Sequence, residues 1–138
     1  FPIWAAVELF TFGMLSSLFD IMRESDQRAV SRAYDLSPES LSALIAAAVN
    51  VRNICAHYNR LYNQSLEDQP ILPNRLRPYE SDRLFPLLLA FAHVLGRERV
   101  FTRLVTGIAL LEEDDPEADL ACCGFPENWR YVLESEIR

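Results

Sequence analysis

Along nearly the whole chain, apolar residues recur every three or four positions, and no stretch alternates long enough to make a strand. The pattern predicts a first helix from about Pro2, tolerated at the first helical position, to about Arg23. Its core stripe is Trp4, Val7, Phe10 or Thr11, Met14, Leu18 and Ile21. A shorter helix follows around Asp26 to Tyr34. "DLSPES" is a helix start, with Ser37 as N-cap, Pro38 in the first turn and Glu39 near the positive end of the dipole. The third helix is predicted to run unbroken from Pro38 to about Asn63. Ser65 to Glu80 holds three prolines and no helical period, so it reads as a long irregular connection, of a kind that is often functional or mobile. A fourth helix begins near Ser81 or Asp82, with Pro86 in its first turns, and ends before Gly96. A fifth covers about Arg97 to Glu113 with Val100, Phe101, Leu104, Val105, Ile108 and Leu111 as its stripe. Asp115 as N-cap, Pro116 behind it and Gly124 as the stop frame a short helix, and "FPENWRYVLESEIR" closes the chain as another. The predicted fold class is all-α, a helical bundle with a long irregular loop after the third helix.

Composition narrows this picture. With 138 residues, half of them hydrophobic, residues 1–138 suit one domain that buries its core without disulfide or metal staples. Phe1 in place of an initiator methionine, and an opening in mid-pattern, point to the C-terminal part of a longer protein. Three cysteines, two of them adjacent at Cys122 and Cys123, do not form a secreted disulfide framework, so a reducing cytoplasm is expected. The apolar opening lacks a basic flank and a cleavage site, and Glu8 and Asp20 would lie in or near hydrocarbon, so a core helix is expected rather than a membrane span.

A net charge of −7 argues against a generic nucleic-acid binder, but the charge is segregated. Val51 to Leu110 carries eight arginines against five acids, a balance of +3, while the remainder stands at −10. Every one of the 13 basic residues is arginine, the better fork for phosphate, although a GC-rich genome gives the same bias.

The concentrated chemistry lies in "RNICAHYNR", Arg52 to Arg60. On a helical projection with Arg52 at zero, Asn63, Arg60, Asn53 and His57 fall at about 20°, 80°, 100° and 140°, with apolar residues opposite. One face thus offers an imidazole, an amide and two guanidinium groups. That set suits metal-free cleavage of RNA. A histidine that titrates near neutrality can take the proton of a ribose 2′-hydroxyl or give one to the departing 5′-oxygen. Arginine can fork onto the non-bridging oxygens as charge builds on phosphorus. Asn53, one turn from His57, can hold the imidazole in a productive tautomer. One histidine does not easily serve as both base and acid, and a symmetric dimer would supply a second.

The Arg52-x4-His57 spacing is similar to the R-x(4-6)-H motif of HEPN domains, helical proteins many of which are metal-independent ribonucleases working as dimers. "PIWAAVELFTFGMLSSLF", "RNICAHYNRLYN" and "GFPENW" resemble, in the same order, segments of the abortive-infection branch, the AbiD/AbiF-like phage-resistance proteins. The resemblance implies a HEPN-like bundle that dimerises and cleaves RNA in antiphage defence, with Arg52 and His57 as the catalytic pair and Asn53 as the polar residue beside them. It implies no metal or nucleotide cofactor, and it admits an antitoxin or sensor subunit as a further partner. Arg60, Asn63, Arg75 and Arg77 are the expected RNA-holding residues. Tyr58 is a candidate for modification, because some HEPN toxins are silenced at a nearby tyrosine, although the spacing here differs. Glu8 matches an acidic position of the family without an assigned role.

Plainer readings stand beside these. The polar face of the third helix is also what any solvated amphipathic helix has. His93 is expected to be a core histidine bonded to a backbone carbonyl. His57, His93 and Cys55 lack metal-ligand spacing, and Glu112 to Asp115 reads as an exposed helix end. The runner-up function is a non-catalytic HEPN-like module that dimerises and binds RNA or a partner protein through the same face.

Overall fold

The structure, a computed structural model, describes residues 10–95, 98–115 and 117–137. Every regular element among them is helical: α1 (Phe12–Ile21), α2 (Glu24–Arg32), α3 (Pro38–Ala56), a 3₁₀ turn (Asn74–Tyr79), α4 (Phe85–Leu95), α5 (Arg99–Asp114), a second 3₁₀ turn (Leu120–Cys123) and α6 (Trp129–Glu136). The all-α class is therefore as the periodicity predicts. Among the described residues no helix is long and apolar enough to cross a membrane.

Two helices organise the rest. α1 and α2 pack on α3, α3 packs on α4, and α4 carries α5 and α6. The junction of α3 with α4 is a small cluster of Leu44, Ala47 and Leu87, where fully buried Ala47 lets the helices approach closely. The main core lies under α4. Phe85, Leu88, Leu89 and Ala92 meet Phe101, Cys123, Phe125, Trp129, Val132 and Leu133, with Leu72 and Leu76 folding in from the long connection. A file of rings runs through it, with Tyr79 6.0 Å from Phe85, Phe85 4.9 Å from Phe125, and Phe125 5.5 Å from Trp129. These offset and edge-on arrangements are the favoured ones for aromatic pairs.

Several predicted boundaries move, each for a local reason. α1 is described from Phe12, capped by Thr11, whose Oγ1 accepts from the Met14 N–H at 3.2 Å. Trp4, Val7 and Glu8 lie outside the described residues. The predicted α1 stripe faces the wrong way: Met14 and Leu18 are exposed and Ile21 is 80% exposed, while Phe19 is buried. Both sides of α1 are apolar, so periodicity alone does not choose the buried one. α5 is corrected similarly. Phe101 is buried and Val105 and Ile108 pack on the core, but Leu104 and Leu111 are exposed and Val100 is 78% exposed.

The predicted cap at Asp115 is also displaced. Asp115 ends α5, and its Oδ1 accepts from the Glu117 N–H at 3.1 Å. The short helix starts later, capped by Asp119 through the Ala121 N–H at 2.9 Å. Gly124 stops it as predicted, at φ +83°, and a Cβ there would sit 2.9 Å from Cβ of Arg83. Glycine is thus required twice over, by backbone conformation and by space.

The connection between α3 and α4 is irregular yet tied down. Leu66, Leu72 and Leu76 are buried, and the Leu66 N–H donates to the Asp82 carbonyl at 2.7 Å. The Ser65 hydroxyl donates to the Asp82 carboxylate and holds that group below its ordinary titration range. α4 then begins at Phe85, three or four residues later than predicted, because Asp82 is engaged in these ties and Arg83 Nη1 donates to the Asn63 carbonyl at 2.8 Å.

Candidate functional site

α3 is built to start and stop where it does. Ser37 Oγ accepts from the Ser40 N–H at 3.1 Å, and Pro38 occupies the first turn. Glu39 lies beside the free N–H groups of that turn; a hydrogen bond from its own N–H, then one from Ser37, holds its carboxyl below the usual range. The other end departs from prediction, since α3 finishes at Ala56 and not near Asn63. The Tyr58 N–H donates to the Cys55 carbonyl at 3.2 Å and the Asn59 N–H to the Ile54 carbonyl at 3.0 Å. With Tyr58 left-handed at φ +56°, this is a Schellman stop, usually made with glycine. His57 is the capping residue, its N–H donating to the Asn53 carbonyl at 3.1 Å.

A tyrosine at that position is strained by roughly 1 kcal/mol. Its side chain is 99% exposed, so truncation removes no packing. Tyr58→Gly is therefore expected to raise stability by up to about 1 kcal/mol, read as a higher midpoint in urea; a lower midpoint would contradict the assignment of strain.

Ala46, Asn50, Asn53 and His57 follow one another at three and four residues and form one wall of an open groove of about 480 Å³. Gly13, Ser16 and Ser17 of α1 form the facing wall, and Asn59 and Asp68 close one side. Arg52 stands next to the groove: its Nη1 donates to Asn53 Oδ1 at 2.9 Å. Arg52, Asn53 and His57 are all exposed to solvent. Among the described residues, no arginine lines the groove.

The predicted RNA-holding residues do not gather there. Arg60 is exposed but lies beyond the end of α3, so the projection that placed it on the face of His57 does not apply. Asn63, left-handed at φ +56°, accepts from Arg83 Nη1 through both its carbonyl at 2.8 Å and its Oδ1 at 2.9 Å. Arg77 is exposed on the first 3₁₀ turn. Arg75, on the same turn, lines a different cleft of about 380 Å³ between the start of α3 and α4. Its Nε donates to Glu136 Oε1 at 3.3 Å and its Nη2 pairs with Oε2.

Glu136 is buried at the end of α6, so Arg75 locks the connection to the core. Arg75→Ala leaves that carboxylate without its partner and is expected to cost roughly 1–3 kcal/mol, discounted because the arginine is half exposed. Urea unfolding is the check, and an unchanged midpoint would mean that the pair contributes nothing.

His93 lines the second cleft, and its Nδ1 is buried without a hydrogen-bond partner, so the expected carbonyl bond is not made at that nitrogen. Trp129 is buried in the core, and its Nε1 donates to Glu112 Oε2 at 3.4 Å. Glu112 and Glu113 also accept from Arg130 Nη2. The three cysteines are free thiols. Among the described residues, no three His, Cys, Asp or Glu side chains gather as a metal site.

Sequence reasoning missed Asn50, Ser16, Ser17, Asn59 and Asp68. Asn50 was legible, one turn before Asn53 on the same stripe. Asp68 was not, because it arrives through an irregular connection whose return path no local pattern encodes.

Fold and groove together define an all-helical domain that presents an imidazole and amides on a solvent-open cleft, with a guanidinium at its edge. Residues 1–63 match the family model described as Abi-like protein, a stretch that includes α1 to α3 and the Arg52 to His57 motif. That match supports an abortive-infection family. No curated protein and no solved structure matches the chain.

Proposed function

We propose that this chain is an antiphage endoribonuclease of HEPN type, related to the AbiD/AbiF-like proteins, which cuts RNA by 2′-hydroxyl transesterification. The observation that carries the reading is the grouping of His57 and Asn53 on the groove wall, with Arg52 hydrogen-bonded to Asn53 at 2.9 Å. In the first step the 2′-oxygen attacks phosphorus and loses its proton to an imidazole. The bond to the 5′-oxygen breaks as a second group returns a proton, leaving a 2′,3′-cyclic phosphate and a 5′-hydroxyl. Arg52, freed from Asn53 by the incoming phosphate, stabilises the charge that builds on the non-bridging oxygens.

Among the described residues each chain brings one histidine and no arginine to the lining of its groove, so a single copy lacks a second imidazole and a cation inside the cleft. A symmetric second copy supplies them. The exposed apolar stripe of Met14, Leu18 and Ile21, on the helix that also forms the groove wall, offers a surface for that copy. No metal or nucleotide cofactor has a step in this scheme, and an antitoxin or sensor subunit would act by controlling access to the groove.

The second reading, a non-catalytic module that binds RNA or a partner protein, draws on the same groove, where Asp68 brings a carboxylate and, among the described residues, no arginine joins it in the lining. Incubation with RNA in EDTA separates the two. The enzyme is expected to yield cyclic-phosphate ends despite the chelator; folded protein that binds RNA and leaves it intact would establish the module instead.

A further inference from the structure

One charged group in the groove has no part in the cleavage steps. Among the described residues, Asp68 is the single carboxylate of the lining. A carboxylate repels a phosphate at close range, by ~1 kcal/mol at 4 Å even in bulk water and by more in a less polar cleft. The part of an RNA strand that fits against it is therefore the edge of a base and not the backbone.

The side chain is held in place. Leu66 is only 3% exposed and anchors the turn before it, and Gln69 Nε2 donates to the Leu66 carbonyl at 3.3 Å. Asn50 Nδ2 donates to Asp68 Oδ2 at 3.2 Å. Among the described residues, Oδ1 has no hydrogen-bond partner within the chain. Asn50 on α3 and His57 at its C-cap lie seven residues apart, about 10 Å along the axis, a separation that one nucleotide bridges from its phosphate to the hydrogen-bonding edge of its base. The groove volume of about 480 Å³ falls within the range of small-ligand clefts.

An ionised carboxylate only accepts hydrogen bonds. Guanine alone among the four bases presents two adjacent donors, N1–H and the N2 amino group, on its Watson–Crick edge. Uracil has one donor between two carbonyls, and adenine and cytosine set an acceptor nitrogen beside their amino group. Donors for the O6 acceptor of guanine line the same groove, in the amides of Asn53 and Asn59 and the hydroxyl of Ser16. Unpaired bases read on this edge are the usual route to sequence-specific RNA recognition. We infer that Asp68, set by Asn50, selects an unpaired guanine beside the scissile phosphate. The inference rests on the groove being an RNA site, and it adds the base that the site accepts.

Binding and cleavage test it separately. Single-stranded oligonucleotides identical except for G, inosine, A, C or U at one position are made in two forms, all-ribose and 2′-O-methylated so that they resist cleavage. Fluorescence anisotropy with the methylated set is expected to show guanine bound roughly 10- to 100-fold more tightly than A, C or U, with inosine, which lacks the N2 amino group, in between. The near-isosteric Asp68→Asn protein is expected to lose the preference while keeping its helical circular dichroism. Equal binding of all bases, absence of binding, or a guanine preference that survives Asp68→Asn overturns the inference. Cleavage of the all-ribose set reports on the nuclease reading: guanine-selective binding with no cut strands would defeat that reading and leave the base selection standing.

Discussion

His57→Ala is expected to give a folded protein that cleaves RNA at least ~10²- to 10⁴-fold more slowly than the wild type, the usual contribution of a positioned acid or base. The imidazole is exposed at the end of α3 and has no place in either core cluster, so its removal leaves the packing intact. The Schellman stop also survives, because it uses backbone groups of residues 54 to 59 and not the imidazole. Loss of cleavage with unchanged circular dichroism and unchanged unfolding midpoint is the expected outcome, followed on an end-labelled RNA with mass analysis of the product termini. Residual activity near the wild-type level would remove His57 from the chemistry and return the groove to a binding role. A composite site also predicts that specific activity rises with protein concentration until the dimer saturates, and a strictly concentration-independent value would argue against a shared groove.

Phe85→Ala is expected to be the most damaging of the single changes to stability, at about 3–5 kcal/mol. Phe85 is fully buried at the first residue of α4 and stands between the rings of Tyr79 and Phe125. Truncation therefore opens a cavity and breaks the aromatic file that ties the 3₁₀ turn to the segment before α6. Domain stabilities are typically only ~5–15 kcal/mol, so a large share of the variant is expected to be unfolded at growth temperature, visible as loss of near-ultraviolet circular dichroism and a lower urea midpoint. Val100→Ala offers the contrast. That side chain is 78% exposed on α5, and its removal is expected to move stability by less than ~0.5 kcal/mol.

The all-helical class, the N-cap at Ser37, the stop at Gly124 and the closing helix were readable from local chemistry. A serine before Pro-Glu, or a glycine after a short apolar run, acts through bonds that span only a few residues, and such signals survive any tertiary arrangement. The pairing of Asn53 with His57 was readable for the same reason, since one helix turn brings these positions together whatever surrounds them, and Arg52 joins them through its hydrogen bond to Asn53.

Other features depended on distant partners. Which side of α1 is buried follows from where α3 lies, because Met14, Leu18 and Ile21 are as apolar as Phe19 and only packing distinguishes them. The end of α3 at Ala56 goes against residue preference, with an exposed tyrosine taking a glycine's conformation. The polar ties through Arg83 to Asn63 and through Arg75 to Glu136 span 20 and 61 residues and give two of the predicted RNA-holding residues partners within the fold. Asp68 meets the groove through its bond from Asn50 of α3, in a turn that buried Leu66 anchors. Short-range hydrogen bonds and steric preferences are written into neighbouring residues. Burial and long loops are settled by which surfaces meet, and that depends on the whole chain at once.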